Sequence, residues 1–375
     1  MIHPIPSGTR DVLPDEMREL RAIIAAAQRV FDARGYGEVA TPALEYEETL
    51  ARGGVAGELP AYRLFDEQGR VLVLRSDMTV PIARLVATRL ADAPPPLRLA
   101  YVAHSYRGVR PQRGQSRELL QAGIELIGAP AREGTVEALT VLCEVLDAVG
   151  LVDYRIGLGD VALYQALLDG HGVAAAARER ILHELVTRDF VGLAREVGAL
   201  DLPAEAARQL VEVPQRRGGP EVLAALEEPA RSAAEGLRAV IAQLPDRVAR
   251  RVIVDLGLVR SLGYYTGAIF QVLDPALGVP LGGGGRYDDL LARFGRPLSA
   301  VGWALTVERL HIALMGESAG ADSLASSPGG ELGPGEGESA GADSLASSPG
   351  GELGPGEGES AGADSLASSP GGELG

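Results

Sequence analysis

The 375-residue chain contains no lysine: all 35 basic residues are arginine. That absence excludes every mechanism built on a side-chain ammonium, from the lysine of the phosphate-binding P-loop to the Schiff-base lysine of pyridoxal enzymes. Cysteine is almost as scarce. Cys143 stands alone, so neither an intrachain disulfide nor a cysteine cluster for zinc is available. Its setting, EALTVLCEVLDAVG, reads as a helix burying a structural thiol. The five histidines are scattered, and His183-Glu184 has no second histidine at helical spacing, so the zinc-protease pattern fails. No Gly-x-Ser-x-Gly elbow occurs. No apolar run approaches membrane-spanning length, and the opening MIHPIPSGTRDVLPDE is too polar for a signal peptide. A soluble cytoplasmic protein is expected, without a metal or a cofactor.

The last 59 residues lack aromatic and basic side chains altogether. From Glu317 a 21-residue unit, ESAGADSLASSPGGELGPGEG, runs twice in full and once truncated. Such a Gly-, Ser- and Pro-rich segment cannot bury enough apolar surface to offset its ordering entropy, so residues 317–375 are expected to be a disordered tail. Without the tail's 11 acidic residues, the chain's 51 fall to 40 against 35 arginines. The body, residues 1–316, thus carries a formal charge of −5 rather than −16, ordinary for a soluble domain with a substantial core.

Within the body, residues 15–34 read as an amphipathic helix with Met17, Leu20, Ile24, Ala27 and Phe31 on one face. Short extended segments follow at 38–41, 71–74, 98–106 and 122–127. An arginine-rich loop, GVRPQRGQSR, lies between the last two. A helix at 132–148 leads to a strand at 152–158. From about 160 to 245 the chain is Ala-, Leu- and Arg-rich with proline breaks, the pattern of a helical insertion forming a second unit. Strand signals return at 251–256 and 268–273. The glycine run at 282–285, a helix near 286–294, a strand near 299–304 and a closing helix near 306–314 complete the body. Neighbouring strands joined by loops favour an α+β fold with a largely antiparallel sheet.

Five constellations can carry chemistry, the second of them a loop together with the strand after it. LRSDMT (74–79) is a strand end with a charged turn, and it also reads as an ordinary turn with Asp77 capping its own backbone. Arg107, Arg110, Arg113 and Arg117 form a hairpin loop whose guanidinium forks suit phosphate or carboxylate. On the next strand Gln121, Gly123 and Glu125 share one face, either a polar cavity above the sheet or a solvated sheet surface. LVRSLGYYTG (258–267) brings an arginine and two tyrosines to a Gly-flanked turn, lining a pocket or simply packing. GGGGRYD (282–288) lets backbone approach closely, and GWALTVER (302–309) runs a strand into a helix bearing Arg309.

In their order, GTRDVLPDE, GYGEVATP, LRSDMT, SYRGVRPQRG with QAGIELIG, LVRSLGYYTGAIF, GGGGRYDDL and AVGWALTVERL resemble the catalytic core of class II histidyl-tRNA synthetases over residues 7–314. The resemblance implies a six-stranded antiparallel sheet with flanking helices and a helical insertion. Three departures bear on activity. The Arg-x-Glu that contacts ATP in that family is here Arg107 with Val109, an ATP-loop arginine is replaced by Gln115, and the disordered repeat stands where an anticodon-binding domain follows.

The histidine-recognition positions are kept. By resemblance, Asp77 takes the place of the family's Glu facing the ligand ammonium, with Thr79 and Gln121 beside it. Glu125 and Tyr265 match positions holding the imidazole, Arg107 and Arg260 those near the carboxylate, and Tyr264 and Tyr287 the walls. A histidine pocket without synthetase equipment is similar to the ATP phosphoribosyltransferase regulatory subunits. That family implies a hetero-oligomer with a short-form ATP phosphoribosyltransferase catalytic subunit, L-histidine as effector, self-association, no catalytic residue, and no nucleic-acid or membrane partner. The alternative is a histidyl-tRNA synthetase-like fragment that activates histidine with ATP.

Overall fold

The computed structural model describes residues 5–55, 61–108, 116–259 and 263–325, with side chains as far as Glu317. Helix α1 (Pro14–Ala33) begins with proline, whose fixed φ suits a first turn, followed by Asp15 and Glu16 at the positive end of the helix dipole. It stops at Gly35, whose φ of 73° few other residues adopt readily. Its buried stripe is centred on Leu20, Ile23, Ala27 and Phe31. Met17, expected in that stripe, is exposed, and Ile24 is only half-buried.

Strands β1 (Gly37–Glu38) and β2 (Leu44–Tyr46), helix α2 (Glu47–Gly53), and strands β3 (Arg63–Phe65) and β4 (Val71–Leu74) follow. β2, β4 and β3 form a small antiparallel sheet in that order. Helix α3 (Thr79–Arg89), strands β5 (Leu97–Tyr106) and β6 (Glu118–Ile127), helix α4 (Ala131–Val149) and strand β7 (Arg155–Asp160) come next. The insertion carries α5 (Val161–Gly170), α6 (Ala175–Thr187), α7 (Phe190–Gly198), α8 (Ala204–Glu212) and the two-residue strand β8 (Arg217–Gly218). It continues through α9 (Glu221–Ala224), α10 (Ala230–Ala233), α11 (Glu235–Gln243) and α12 (Asp246–Ala249). Strands β9 (Val252–Asp255), β10 (Ala268–Leu273), β11 (Gly282–Arg286) and β12 (Ala300–Thr306) and helix α13 (Val307–Ala325) complete the described chain.

Among the described residues the main sheet has nine strands in the order β1-β5-β6-β12-β11-β10-β7-β9-β8. Six of them, β5 to β7 in that order, are antiparallel throughout, as expected. The sheet is nonetheless mixed, because β1 pairs with β5 and β9 with β7 in parallel. Alternation then divides each central strand between two environments. Ala122, Ile124, Leu126, Trp303, Leu305, Phe270 and Val272 join α1, α4 and α13 in one large core. There Trp303 donates its indole N–H to the Ala138 carbonyl (2.9 Å), and Cys143 is buried as expected, its thiol pushed up to about 11 by burial. The insertion's Leu167, Ile181, Leu193 and Leu237 belong to the same cluster, so this segment shares the sheet's core rather than building its own.

Three local expectations need correction. The glycine run, which the sequence pattern does not assign, is a central strand, β11. A Cβ at Gly284 would lie 1.9 Å from the Gly302 carbonyl oxygen, so the neighbouring backbone leaves room only for glycine. No α-helix follows it; Tyr287 N–H instead reaches Ala300 O (2.9 Å), and Asp288 binds both Arg286 and the Ala300 N–H, leaving a single 3-10 turn, Leu291–Phe294. The strand expected at 152–158 begins only at Arg155. The amides of Val152 and Asp153 bind the Glu317 carboxylate instead (3.1 and 2.7 Å). Glu317 is the first residue of the repeat, and α13 continues beyond the expected end at 314 through nine repeat residues.

Candidate functional site

The other face of the same strands is built differently. Glu125 on β6 stands opposite Gly302 on β12, and Gly123 stands between Ala304 on β12 and Tyr101 on β5. A Cβ at Gly302 would fall 1.7 Å from Glu125 Oε2, and one at Gly123 2.5 Å from the Tyr101 hydroxyl. Glycine at these two positions is what lets a carboxyl group and a phenol lie against the sheet.

The walls come from four segments between strands. After β4, the Arg75 guanidinium donates to the carbonyls of His104 (2.8 Å), Thr41 (2.5 Å) and Pro42 (3.1 Å), so it clamps neighbouring segments together. Burial among these carbonyls lowers its pKa. Asp77 Oδ1 accepts the Val80 N–H (3.0 Å), which is the self-capping role, performed at the start of α3 and at the cavity edge rather than in solvent. The same turn points Thr79 inward, where its hydroxyl donates to Glu125 Oε1 (2.8 Å). From beyond β11, the Tyr287 hydroxyl donates to Glu125 Oε2. Tyr264 packs 4.8 Å from Tyr265 and edge-on to Tyr287 at 5.7 Å. Arg107, just past β5, holds the hairpin by donating its backbone N–H to Arg117 O (2.8 Å) while its side chain faces the cavity.

These elements enclose a cavity of about 60 Å³, lined by Asp77, Thr79, Arg107, Gln121, Tyr264 and Tyr265 among others. Glu125 lies behind that lining, 1% exposed. Loss of hydration pushes its carboxyl up to about 8, against the two hydroxyl bonds that favour the anion, with Asp77 adding to the rise. Tyr101, Tyr264 and Tyr287 are raised well above the usual phenol value, first by burial, so all three are neutral hydroxyls. Tyr265 also lines a larger recess, about 620 Å³, beside α5 and α6.

The structure therefore gathers eight of the nine expected residues around one cavity. Arg260 lies outside the described residues, as do Val109, Arg110, Arg113 and Gln115 of the hairpin. Tyr101 and Gly302 were missed. Tyr101 was detectable from strand alternation on β5, whereas the need for Gly302 depends on a residue 177 positions away in sequence. Chemically the cavity offers an acid, a guanidinium, an amide, several phenols and a buried protonatable carboxyl. That set complements a small zwitterion with a polar ring.

Comparison with known proteins places this geometry in a lineage. The sequence profile of the histidyl-tRNA synthetase family matches residues 8–310. The ATP phosphoribosyltransferase regulatory subunit of Symbiobacterium thermophilum is 42% identical over 332 residues, covering 87% of this chain and 82% of that protein. The regulatory subunit of Moorella thermoacetica is 42% identical over 327 residues, covering 84% and 83%. Among solved structures, an ATP phosphoribosyltransferase regulatory subunit/histidyl-tRNA synthetase from Bacillus halodurans superimposes with a TM-score of 0.77 at 32% identity, covering 83% of each chain. The chain belongs to the ATP phosphoribosyltransferase regulatory subunit family, which carries the class II histidyl-tRNA synthetase fold.

Proposed function

We propose that this chain is the non-catalytic, histidine-sensing subunit of an ATP phosphoribosyltransferase assembly, acting in the cytoplasm at the first step of L-histidine biosynthesis. The observation that carries this reading is the buried Glu125 carboxyl, held by Thr79 and Tyr287 behind a cavity edged by Asp77 and Arg107. In this reading Asp77 and Gln121 meet the ligand ammonium, Arg107 and Arg260 its carboxylate, and Glu125 and Tyr265 its imidazole, with Tyr264 as a wall. The partner is a short-form catalytic subunit, in a hetero-oligomer whose regulatory chains also self-associate. Histidine controls such an assembly only if its active and inhibited forms bind histidine with different affinity, since equal affinity shifts nothing.

Calorimetric titration with L-histidine, and then with ATP at saturating histidine, tests this. The expected result is histidine binding that Glu125→Ala removes, without histidine-dependent pyrophosphate exchange. The alternative, a synthetase-like enzyme that activates histidine, draws support from Arg107 and Gln121 standing at the cavity. Pyrophosphate exchange dependent on histidine would establish it and sink the sensor reading.

A further inference from the structure

A second concavity, about 370 Å³, lies where β7 and β9 begin, lined by Asp147, Tyr154, Arg155, Arg247, Arg250 and Arg251. The register brings the arginines together: Ile156 pairs with Val252 in parallel, and the Ile156 N–H binds Arg251 O (2.8 Å), so Arg155 at the start of β7 lies beside Arg251 just before β9. Arg247 is committed, bonded to Glu144 and 3.8 Å from Asp147. The other three have no carboxylate at ion-pair distance among the described residues. Their guanidiniums donate to backbone carbonyls: Arg155 to Tyr154 (3.0 Å), Arg250 to Asp246 (3.2 Å) and Arg251 to Val152 (2.6 Å). Arg251 is further fixed 4.5 Å above the Tyr154 ring.

One carbonyl uses one of a guanidinium's five N–H donors. Three planar forks, each fixed by a backbone bond, thus converge on a cleft where Asp147 is the only carboxylate lining among the described residues. We propose that this cleft binds a compact anion of the diphosphate class, bridged between the Arg155, Arg250 and Arg251 guanidiniums. Forks of this geometry grip paired phosphate oxygens bidentately, and a diphosphate supplies enough charge and enough oxygens for all three. Among the described residues nothing in the cleft reads a nucleobase: Tyr154, the one aromatic residue lining it, is 1% exposed and lies under Arg251. Recognition is therefore of the charged group and not of a ring attached to it.

Calorimetric titration of the full chain with inorganic pyrophosphate, in low-salt buffer free of divalent cations, tests the assignment. One saturable site is expected, with inorganic phosphate binding more weakly. The double variant Arg155→Gln, Arg250→Gln should lose about tenfold or more in affinity for each guanidinium removed. Because both side chains are exposed, the variant should keep its thermal midpoint and its L-histidine titration. No saturable pyrophosphate binding, or equal binding by the variant, overturns the proposal. So does binding of polyglutamate in place of pyrophosphate, which would make the cleft a contact for an acidic protein segment. The histidine titration is read separately, so failure here leaves the sensor reading standing.

Discussion

The two faces of the central sheet are made by the same strands and obey opposite rules. Toward α1, α4 and α13, β6 and β12 present Ile124, Leu126, Trp303 and Leu305, all buried in the large core. Toward the cavity, the intervening positions are Gly123, Glu125, Gly302 and Ala304. One face accumulates buried apolar area. The other carries a smaller apolar cluster, and within it holds a carboxyl with a raised pKa in a space kept clear by glycine. A period of two thus lets stability and ligand chemistry occupy alternate residues of one strand.

Substitutions on either face probe this division. The largest expected effect is on the packed face: Trp303→Ala should cost about 3–5 kcal/mol in urea unfolding, by removing buried volume and the bond to Ala138. On the cavity face, Gly302→Ala should cost about 1–3 kcal/mol through the clash with Glu125, and calorimetry should show histidine affinity lost even where the fold survives. If that variant binds histidine normally, the glycine is not what seats the carboxyl.

Glu125→Gln should act in the opposite direction on stability. The carboxyl's pKa rises from an ordinary 4.5 to about 8 on folding, so the folded state holds its proton more tightly. Stability from that proton is complete below about pH 4.5 and is lost as pH rises through about 8. The variant, which has no proton to lose, should gain on the wild type between pH 5 and pH 9, as thermal melts at the two values will reveal. Its histidine affinity should nevertheless fall by about tenfold. A constant difference in melting temperature across that range would remove Glu125 as the buried titrating group. The smallest change is expected for Tyr287→Phe, about 1 kcal/mol, with the Glu125 titration moving to still higher pH as one bond to the anion disappears.

Much of this was legible in the sequence because it depended on local periodicity. Gln121, Gly123 and Glu125 were assigned to one face from alternation alone, and β4 and β10 fell at the expected residues. The small sheet's β2 and β3 were not anticipated, being three residues each and too short to show a period. The glycine strand was hidden for a different reason. Glycine disfavours strands on its own, and here the requirement comes from backbone on β12, far along the chain. Arg75 showed itself as charge and turned out to be a clamp on carbonyls, since sequence gives the donor but not its acceptors. The Arg247, Arg250 and Arg251 cluster passed unnoticed because its fourth member, Arg155, lies on another strand.

The anchoring of Glu317 on the Val152 and Asp153 amides has a consequence for how this gene can change length. The residues that extend α13 from Glu317 to Ala325 are the opening nine of the 21-residue unit, and the next copy begins with the same nine. Deleting or adding a whole unit therefore returns an identical glutamate and an identical helix end to the position after Gly316. Slippage of the array by complete copies is silent to the folded body, while a partial copy placed ahead of Glu317 would put a different residue against those amides. Whole copies preserve the Glu317 contact, and a shift of phase ahead of it does not.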